Sequence, residues 1–317
     1  MIRVLWYYLV LLVSTIYHAS GAILGGIFRV KHHTGGVYDW AGTDWARQIL
    51  RAAGTPVHAV GLEHVPPGEP VIFASNHSSM FDIWALFATL PGSVRFVAKR
   101  ELFRIPILGA AMRAAGHIPI DRAVKARAFE AYGDAARIIK RGFSPVVFPE
   151  GTRSRTGELL PFKNAPFALA IAAQVPIVPV YVHHTLEILP KGAWRLRPRP
   201  IRLFVGKPIP TAGLVAGDRE GLRDRVRATI VALQQRALTG EATAARVGPP
   251  LARSFRFTRA RSSTAGATPP SKPMSPWRAA PRAEPRCRAG RRRESMKPSS
   301  CVTATRNGSG ARAFSRR

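Results

Sequence analysis

The chain has 317 residues, 48 Lys and Arg against 18 Asp and Glu, and a formal net charge of +30. With 46% hydrophobic and 21% charged residues, it is not a wholly disordered polypeptide and has enough apolar material for a core. The positive surplus requires an acidic partner, whether nucleic acid, an anionic membrane or anionic metabolites, and it excludes no fold.

Residues Val4 to Phe28 carry no charged side chain apart from a neutral His18, and Val4 to Tyr17 is densely apolar. A helix of ~25 residues reaches across a ~30 Å hydrocarbon layer. The later part, His18-Ala-Ser-Gly-Ala-Ile-Leu-Gly-Gly, is weaker and is expected to bend. Two readings stand: a membrane anchor, spanning or re-entrant, over 1–33, or a cleaved signal peptide with a small-residue site near Ala19 to Ala22. Arg29 and Lys31 follow, which favours a cytoplasmic C-terminal flank.

Asp44 to Ala53 has the pattern of a short amphipathic helix. Strands are expected from Val57 and over Val71 to Ser75, then a helix from Ser79 to Leu90 ended by Pro91-Gly92. Val94 to Ala98 reads as a strand, Leu102 to Ala115 as an apolar helix broken by Pro106, and Ile118 to Asp121 as a short strand. Ala123 to Arg141 reads as a helix stopped by Gly142, and Pro145 to Phe148 as a buried strand. A helix over Pro166 to Ala173, strands Ile177 to Val182 and Ile201 to Val205, and a final helix Glu220 to Leu238 complete the series. Alternating strands and helices predict an α/β domain over 44–245, with a mixed, largely buried sheet flanked by helices.

The last stretch, 246–317, holds 18 basic residues and two acids, so 16 of the 30 surplus charges lie there and 14 in the rest. Its Pro, Ser, Ala and Arg cannot bury enough apolar area to offset chain entropy, and a disordered basic tail is expected. Both cysteines, Cys287 and Cys301, lie in it, which leaves the folded part without thiols for a disulfide or a metal.

Chemistry concentrates in two clusters, each directly after an apolar strand. The first is Asn76-His77-Ser78-Ser79-Met80-Phe81-Asp82. On one continuous helix His77 and Asp82, five apart, would stand ~140° away from each other. With His77 in the loop and Ser78 or Ser79 capping the helix, Asp82 falls in the first turn and the imidazole can fold back onto it. The carboxylate would then orient His77 and leave the other nitrogen as a general base. The plainer reading is a loop histidine followed by an aspartate favoured by the helix dipole. A protein nucleophile is missing, since there is no Gly-x-Ser-x-Gly elbow and no cysteine in the fold. A base without its own nucleophile suggests a substrate that brings a hydroxyl. Metal is a poor alternative: His183 and His184 are adjacent, and no His-Glu-x-x-His is present.

The second cluster is Phe148-Pro149-Glu150-Gly151-Thr152-Arg153-Ser154-Arg155. Gly151 permits a tight turn, and Arg153 offers a planar fork suited to phosphate. Glu150 can hold that fork or a substrate hydroxyl, and the plain alternative is a polar turn with a local ion pair. Between the clusters, Lys99, Arg100 and Arg104 flank apolar sequence that ends in Ile118-Pro-Ile-Asp121-Arg122. That suits a ligand with a lipid tail and an anionic head, and equally an ordinary core helix with solvated ends.

Four pieces in order resemble the glycerolipid acyltransferase family, in particular its bacterial 1-acyl-sn-glycerol-3-phosphate acyltransferases. They are Asn76-His77 with Asp82, Gly116-His-Ile-Pro-Ile-Asp-Arg122, Phe148 to Ser154, and Val175-Pro-Ile-Val-Pro-Val180. The resemblance spans roughly Val57 to Ile209. It implies transfer of an acyl group from acyl-CoA or acyl carrier protein to the free hydroxyl of a lysophospholipid, lysophosphatidic acid above all, without an acyl-enzyme, cofactor or metal. By resemblance His77 is the base and Asp82 its holder. Arg122 and Arg153 bind the acceptor phosphate, Glu150, Gly151 and Thr152 support that site, and Lys99 joins it. An inner-membrane location with the catalytic domain on the cytoplasmic face is implied likewise. One departure stands out: where the family reads Phe-Lys-Lys/Arg-Gly, this chain has Phe162-Lys163-Asn164-Ala165.

Other acceptors, such as a lyso-ornithine lipid or glycerol 3-phosphate, fit the same machinery. A nucleic-acid or membrane-coating protein is the reading from a different class. Its mark would be basic residues interleaved with aromatics on the fold; here Trp and Tyr concentrate in the N-terminal segment and the Arg-rich tail has almost none of either, so no specific nucleic acid is expected.

Overall fold

The structure, a computed structural model, describes residues 2–120, 136 and 139–240. In chain order the elements are α1 (Ile2–Ile27), α2 (Val37–Ala53), β1 (Val57–Val60), β2 (Ile72–Ser75) and α3 (Phe81–Thr89). Then follow β3 (Ser93–Lys99), α4 (Leu108–Ala114), β4 (Ile118–Ile120), β5 (Phe143–Val147) and α5 (Ala165–Ala173). The series ends with β6 (Ile177–His183), α6 (Thr185–Ile188), β7 (Ile201–Val205) and α7 (Arg219–Leu238). The helix expected over Ala123 to Arg141 and the tail 246–317 lie largely or wholly outside the described residues.

Seven strands form one sheet in the order β1-β7-β6-β2-β5-β3-β4. All neighbours are parallel except β6 and β7, which run antiparallel with Val180 opposite Val205. The sheet is therefore mixed and covered on both faces. β2 shows why its sequence is a continuous apolar run rather than an alternation: Phe73 faces one core, Ile72 and Ala74 the other, and all three are fully buried. The first core takes Ala46, Ile49, Leu50 and Ala53 of α2 with Phe81, Trp84, Ala85 and Leu86 of α3. The second takes Phe167, Leu169 and Ala170 of α5 with Leu222, Val226, Ile230, Leu233 and Ala237 of α7, a spacing of three and four that keeps one helical stripe inward.

This division positions the site. β2 and β5 are parallel neighbours, paired Phe73 to Val146 and Ala74 to Val147. From β2 the chain leaves to α3 on one face; from β5 it leaves to α5 on the other. A crevice opens beyond the carboxyl ends of adjacent strands that diverge in this way, and there α/β sheets place their ligands.

At the N-terminus the expected bend is absent. α1 is one helix through Ile27, and its small residues serve as close-packing positions. A Cβ on Gly25 would come within 3.3 Å of the Tyr38 hydroxyl on α2, and one on Gly26 within 3.1 Å of Ala114 Cβ on α4. Tyr7, on the same inward face, stacks on Phe81 of α3. The opposite face leaves Leu5, Trp6, Leu9, Leu12, Val13, Ile16 and Tyr17 exposed. α2 begins at Val37, seven residues before the amphipathic stretch recognised in the sequence, because Tyr38 and Ala41 pack against α1.

Candidate active site

The loop after β2 is built around one carboxylate. Asp82, in the first turn of α3, is fully buried. Its Oδ2 lies 2.9 Å from His77 Nδ1 and accepts the backbone N–H groups of Ser78 at 2.7 Å and Ser79 at 2.9 Å. Its Oδ1 accepts the hydroxyl of Thr185, the first residue of α6. The expected arrangement of His77 and Asp82 is thus present. The Ser79 hydroxyl accepts the N–H of Phe81, the first residue of α3, at 3.4 Å and donates to the Leu189 carbonyl at 2.8 Å, while Asp82 reaches backward and gathers the N–H groups of both serines. An aspartate turned back onto three donors holds the loop tightly enough to bring the imidazole to it.

His77 is fixed from every side but one. Its ring stacks on Phe148, centroids 3.9 Å apart and planes 16° from parallel. Its backbone N–H donates to Glu150 Oε1 at 2.8 Å, and its carbonyl accepts the N–H of Ser154 at 2.8 Å. Facing a carboxylate, Nδ1 carries the proton and Nε2 presents its lone pair. Nε2 has no hydrogen-bond partner among the described residues, and no serine, threonine or cysteine there stands in line as a nucleophile. The preceding Asn76 is a clamp on the sheet: its amide donates to the Val182 carbonyl at 2.9 Å and accepts the Val182 N–H at 2.7 Å, extending β2 against β6.

The loop after β5 supplies the other wall. Glu150 is buried, and both its oxygens are committed to backbone N–H groups, of His77 and, at 3.1 Å, of Leu160. Burial pushes its carboxyl up from 4.5 to about 7, against the pull of those two donors. Its two oxygens bond the backbone N–H groups of His77 and Leu160, which ties the loop after β5 to the backbone of His77. Gly151 has a φ of +73°, and a Cβ there would meet Lys163 Cε at 2.9 Å and Nζ at 3.0 Å. The positive φ favours glycine here, and the end of the Lys163 side chain lies close over it. Arg153 is half-buried with no ion-pair partner among the described residues, and Thr152 is exposed.

Lys163 is the residue that sequence reasoning passed over. It appeared only as the retained half of an altered motif, yet its ammonium lies over Gly151. The altered half is accounted for: Asn164 donates to Glu220 at 3.2 Å and accepts from Arg223 at 2.8 Å, both on α7. Lys99 is exposed at the end of β3 and paired with Glu101 at 3.1 Å. Its register partner Ile120 is two residues before Arg122, which itself lies outside the described residues. Thr185 carried no local signal, being 103 residues from Asp82. Among the described residues no three His, Cys, Asp or Glu side chains gather for a metal ion.

Residues 56–183 match the family described as Acyltransferase. The human 1-acyl-sn-glycerol-3-phosphate acyltransferase alpha is 38% identical over 175 residues, 55% of this chain and 62% of its own length. The 1-acyl-sn-glycerol-3-phosphate acyltransferase of Limnanthes douglasii is 38% identical over 164 residues, 51% of this chain and 58% of its own. The chain thus spans about three fifths of the length of these curated relatives. Among solved structures, the 1-acyl-sn-glycerophosphate (LPA) acyltransferase PlsC of Thermotoga maritima shares the fold with a TM-score of 0.62. It is 24% identical and covers 72% of this chain and 92% of its own.

Proposed function

From the match of residues 56–183 to the Acyltransferase family, we propose that the chain is a glycerolipid acyltransferase that acylates the free hydroxyl of 1-acylglycerol 3-phosphate to give phosphatidic acid. One observation carries the reading: an imidazole held by a buried, fully engaged carboxylate, with its outer nitrogen open and no protein nucleophile facing it. The acceptor hydroxyl attacks the thioester carbonyl carbon of acyl-CoA or an acylated carrier protein while Nε2 takes its proton. The tetrahedral intermediate collapses, the C–S bond breaks, and the imidazolium returns the proton to the thiolate. Asp82 keeps Nδ1 protonated and stabilises the transient imidazolium. Arg153 and Lys163 receive the acceptor phosphate, with Arg122 added from the sequence motif. Lys99 at the rim draws anionic substrate toward it.

α1 is long and apolar enough to cross a bilayer, with a mean hydropathy of 1.6. Its packing supports a different placement. α2 runs alongside with Asp39, Asp44, Arg47 and Arg51, and a transbilayer α1 would draw these charges into hydrocarbon. A helix lying in the interface with its outer apolar face inward to the lipid satisfies both. This places the crevice at a membrane surface, the inner membrane's cytoplasmic face in the reading carried from sequence.

The test is transfer of a labelled acyl group to lysophosphatidic acid by the full chain and by His77→Ala, with circular dichroism confirming the fold. Retained turnover in the variant would end this mechanism. Arg153→Ala should raise the acceptor KM, and a panel including lyso-ornithine lipid and glycerol 3-phosphate, run with acyl-CoA and acylated carrier protein, assigns acceptor and donor.

A further inference from the structure

From Ile188 to Gly217 the chain contains no acidic residue. Within it, the segment 190–200 carries Lys191, Arg195, Arg197 and Arg199, all exposed, together with Trp194, 54% exposed. None of these takes part in the site described above. We infer that this segment is a docking strap for the headgroups of an anionic bilayer, a second membrane contact beside the apolar face of α1. The inference rests on the lipid reading for its choice of partner.

Three observations select a bilayer. First, the strap is joined to α1: the Tyr8 hydroxyl donates to the Trp194 carbonyl at 3.0 Å. Ile2, Leu5, Trp6 and Leu9, exposed on that end of α1, therefore adjoin an exposed indole and four cations. Apolar surface, indole and cations in one place match the layers of a membrane interface, acyl chains, glycerol backbone and phosphate. Second, the strap is held in shape. Arg197 N–H donates to the Ile188 carbonyl at 3.0 Å and Ala193 N–H to the Pro190 carbonyl at 3.0 Å, and Pro190, Pro198 and Pro200 limit the chain's freedom. Little ordering entropy is left to lose on docking. Third, the Arg195 guanidinium lies over the Trp194 ring at 5.5 Å, so charge and indole are presented together. The strap also begins next to the site. Leu189 accepts the Ser79 hydroxyl, and Thr185, five residues before Pro190, holds Asp82. A bilayer that binds the strap lies beside the crevice.

The full chain is tested for binding to phosphatidylcholine vesicles with and without phosphatidylglycerol. Substituting Arg195→Gln, Arg197→Gln and Arg199→Gln together should leave binding to phosphatidylcholine unchanged. It should reduce the gain from the anionic lipid by up to about 10²-fold, at ~1 kcal/mol per cation near the surface. Trp194→Ala should weaken binding to both vesicle types. Because the basic tail also attracts anionic lipid, a local reporter is added: Ala193→Cys carrying an environment-sensitive dye, with Cys287 and Cys301 changed to serine. Its emission should shift to the blue on anionic vesicles and be quenched by brominated lipid. An unshifted dye, or a triple variant that binds anionic vesicles as wild type does, overturns the proposal. A triple variant with normal vesicle binding and a raised KM for acyl-CoA or acylated carrier protein overturns it also, and gives the strap to the donor. Vesicle binding is read without catalysis, so its failure is distinct from failure of the acyltransferase reading.

Discussion

Among the described residues two histidine–aspartate pairs stand out, and only one has a nitrogen to spare. His77 offers Nδ1 to Asp82 and leaves Nε2 open to the crevice. His18, buried between α1 and α2, has Nδ1 at 2.8 Å from the Ser14 carbonyl and Nε2 at 3.1 Å from Asp44 Oδ2. Both of its nitrogens are engaged, so it fastens two helices. The carboxylates differ as well. Asp82 is fully buried and has four partners, whereas Asp44 is partly open and is shared with Gln48. A residue list makes these pairs look alike. What separates base from fastener is which atoms remain uncommitted.

Substitutions sharpen that contrast, beginning with the largest effect. His77→Ala should lower acyl transfer by about 10²–10⁴-fold with little change in acceptor KM. Asp82→Ala should cost roughly 10²-fold in kcat, since the ring loses the carboxylate that sets its tautomer and three other donors lose their acceptor. Glu150→Gln leaves one backbone N–H without a carboxylate oxygen and should lower kcat by about tenfold. The same variant has a signature in stability. A carboxyl raised from 4.5 to about 7 holds its proton more tightly folded than unfolded. Its favourable contribution is therefore complete below about 4.5 and lost as pH rises to about 7. Denaturant melts of Glu150→Gln across that window should show a flatter dependence on pH than wild type; an equal slope would remove Glu150 from the account. Thr185→Val, which removes one donor to Asp82, should cost a few-fold in kcat and about 1.5–3 kcal/mol in stability. At the bottom of the scale, His18→Gln should leave kcat within about twofold while lowering the melting temperature, as befits a fastener.

Much of this was legible in the sequence. The strands at 72–75, 143–147, 177–183 and 201–205 were evident because strands buried on both faces read as unbroken apolar runs. The pairing of His77 with Asp82 followed from placing a turn between them. What could not be read is long-range. That Asn76 clamps Val182 and that Thr185 closes the shell around Asp82 depend on segments about a hundred residues apart. Glu150 was noticed as an acid in a motif, but its bonds to the His77 and Leu160 backbone could not be read, because backbone N–H groups are shared by every residue. The small residues of α1 looked like a weakness in a helix and are contact points, a distinction that appears only once α2 and α4 are alongside.

The Ser154 N–H bonded to the His77 carbonyl has a consequence for selectivity. Arg153 is the residue before Ser154, so the cation and the base are joined by a short run of fixed backbone. The backbones of the two loops are therefore coupled. On the proposed mechanism, with Arg153 on the phosphate and His77 on the hydroxyl, the crevice acts as a caliper, and a lysolipid with the same headgroup on a longer spacer is expected to be acylated more slowly.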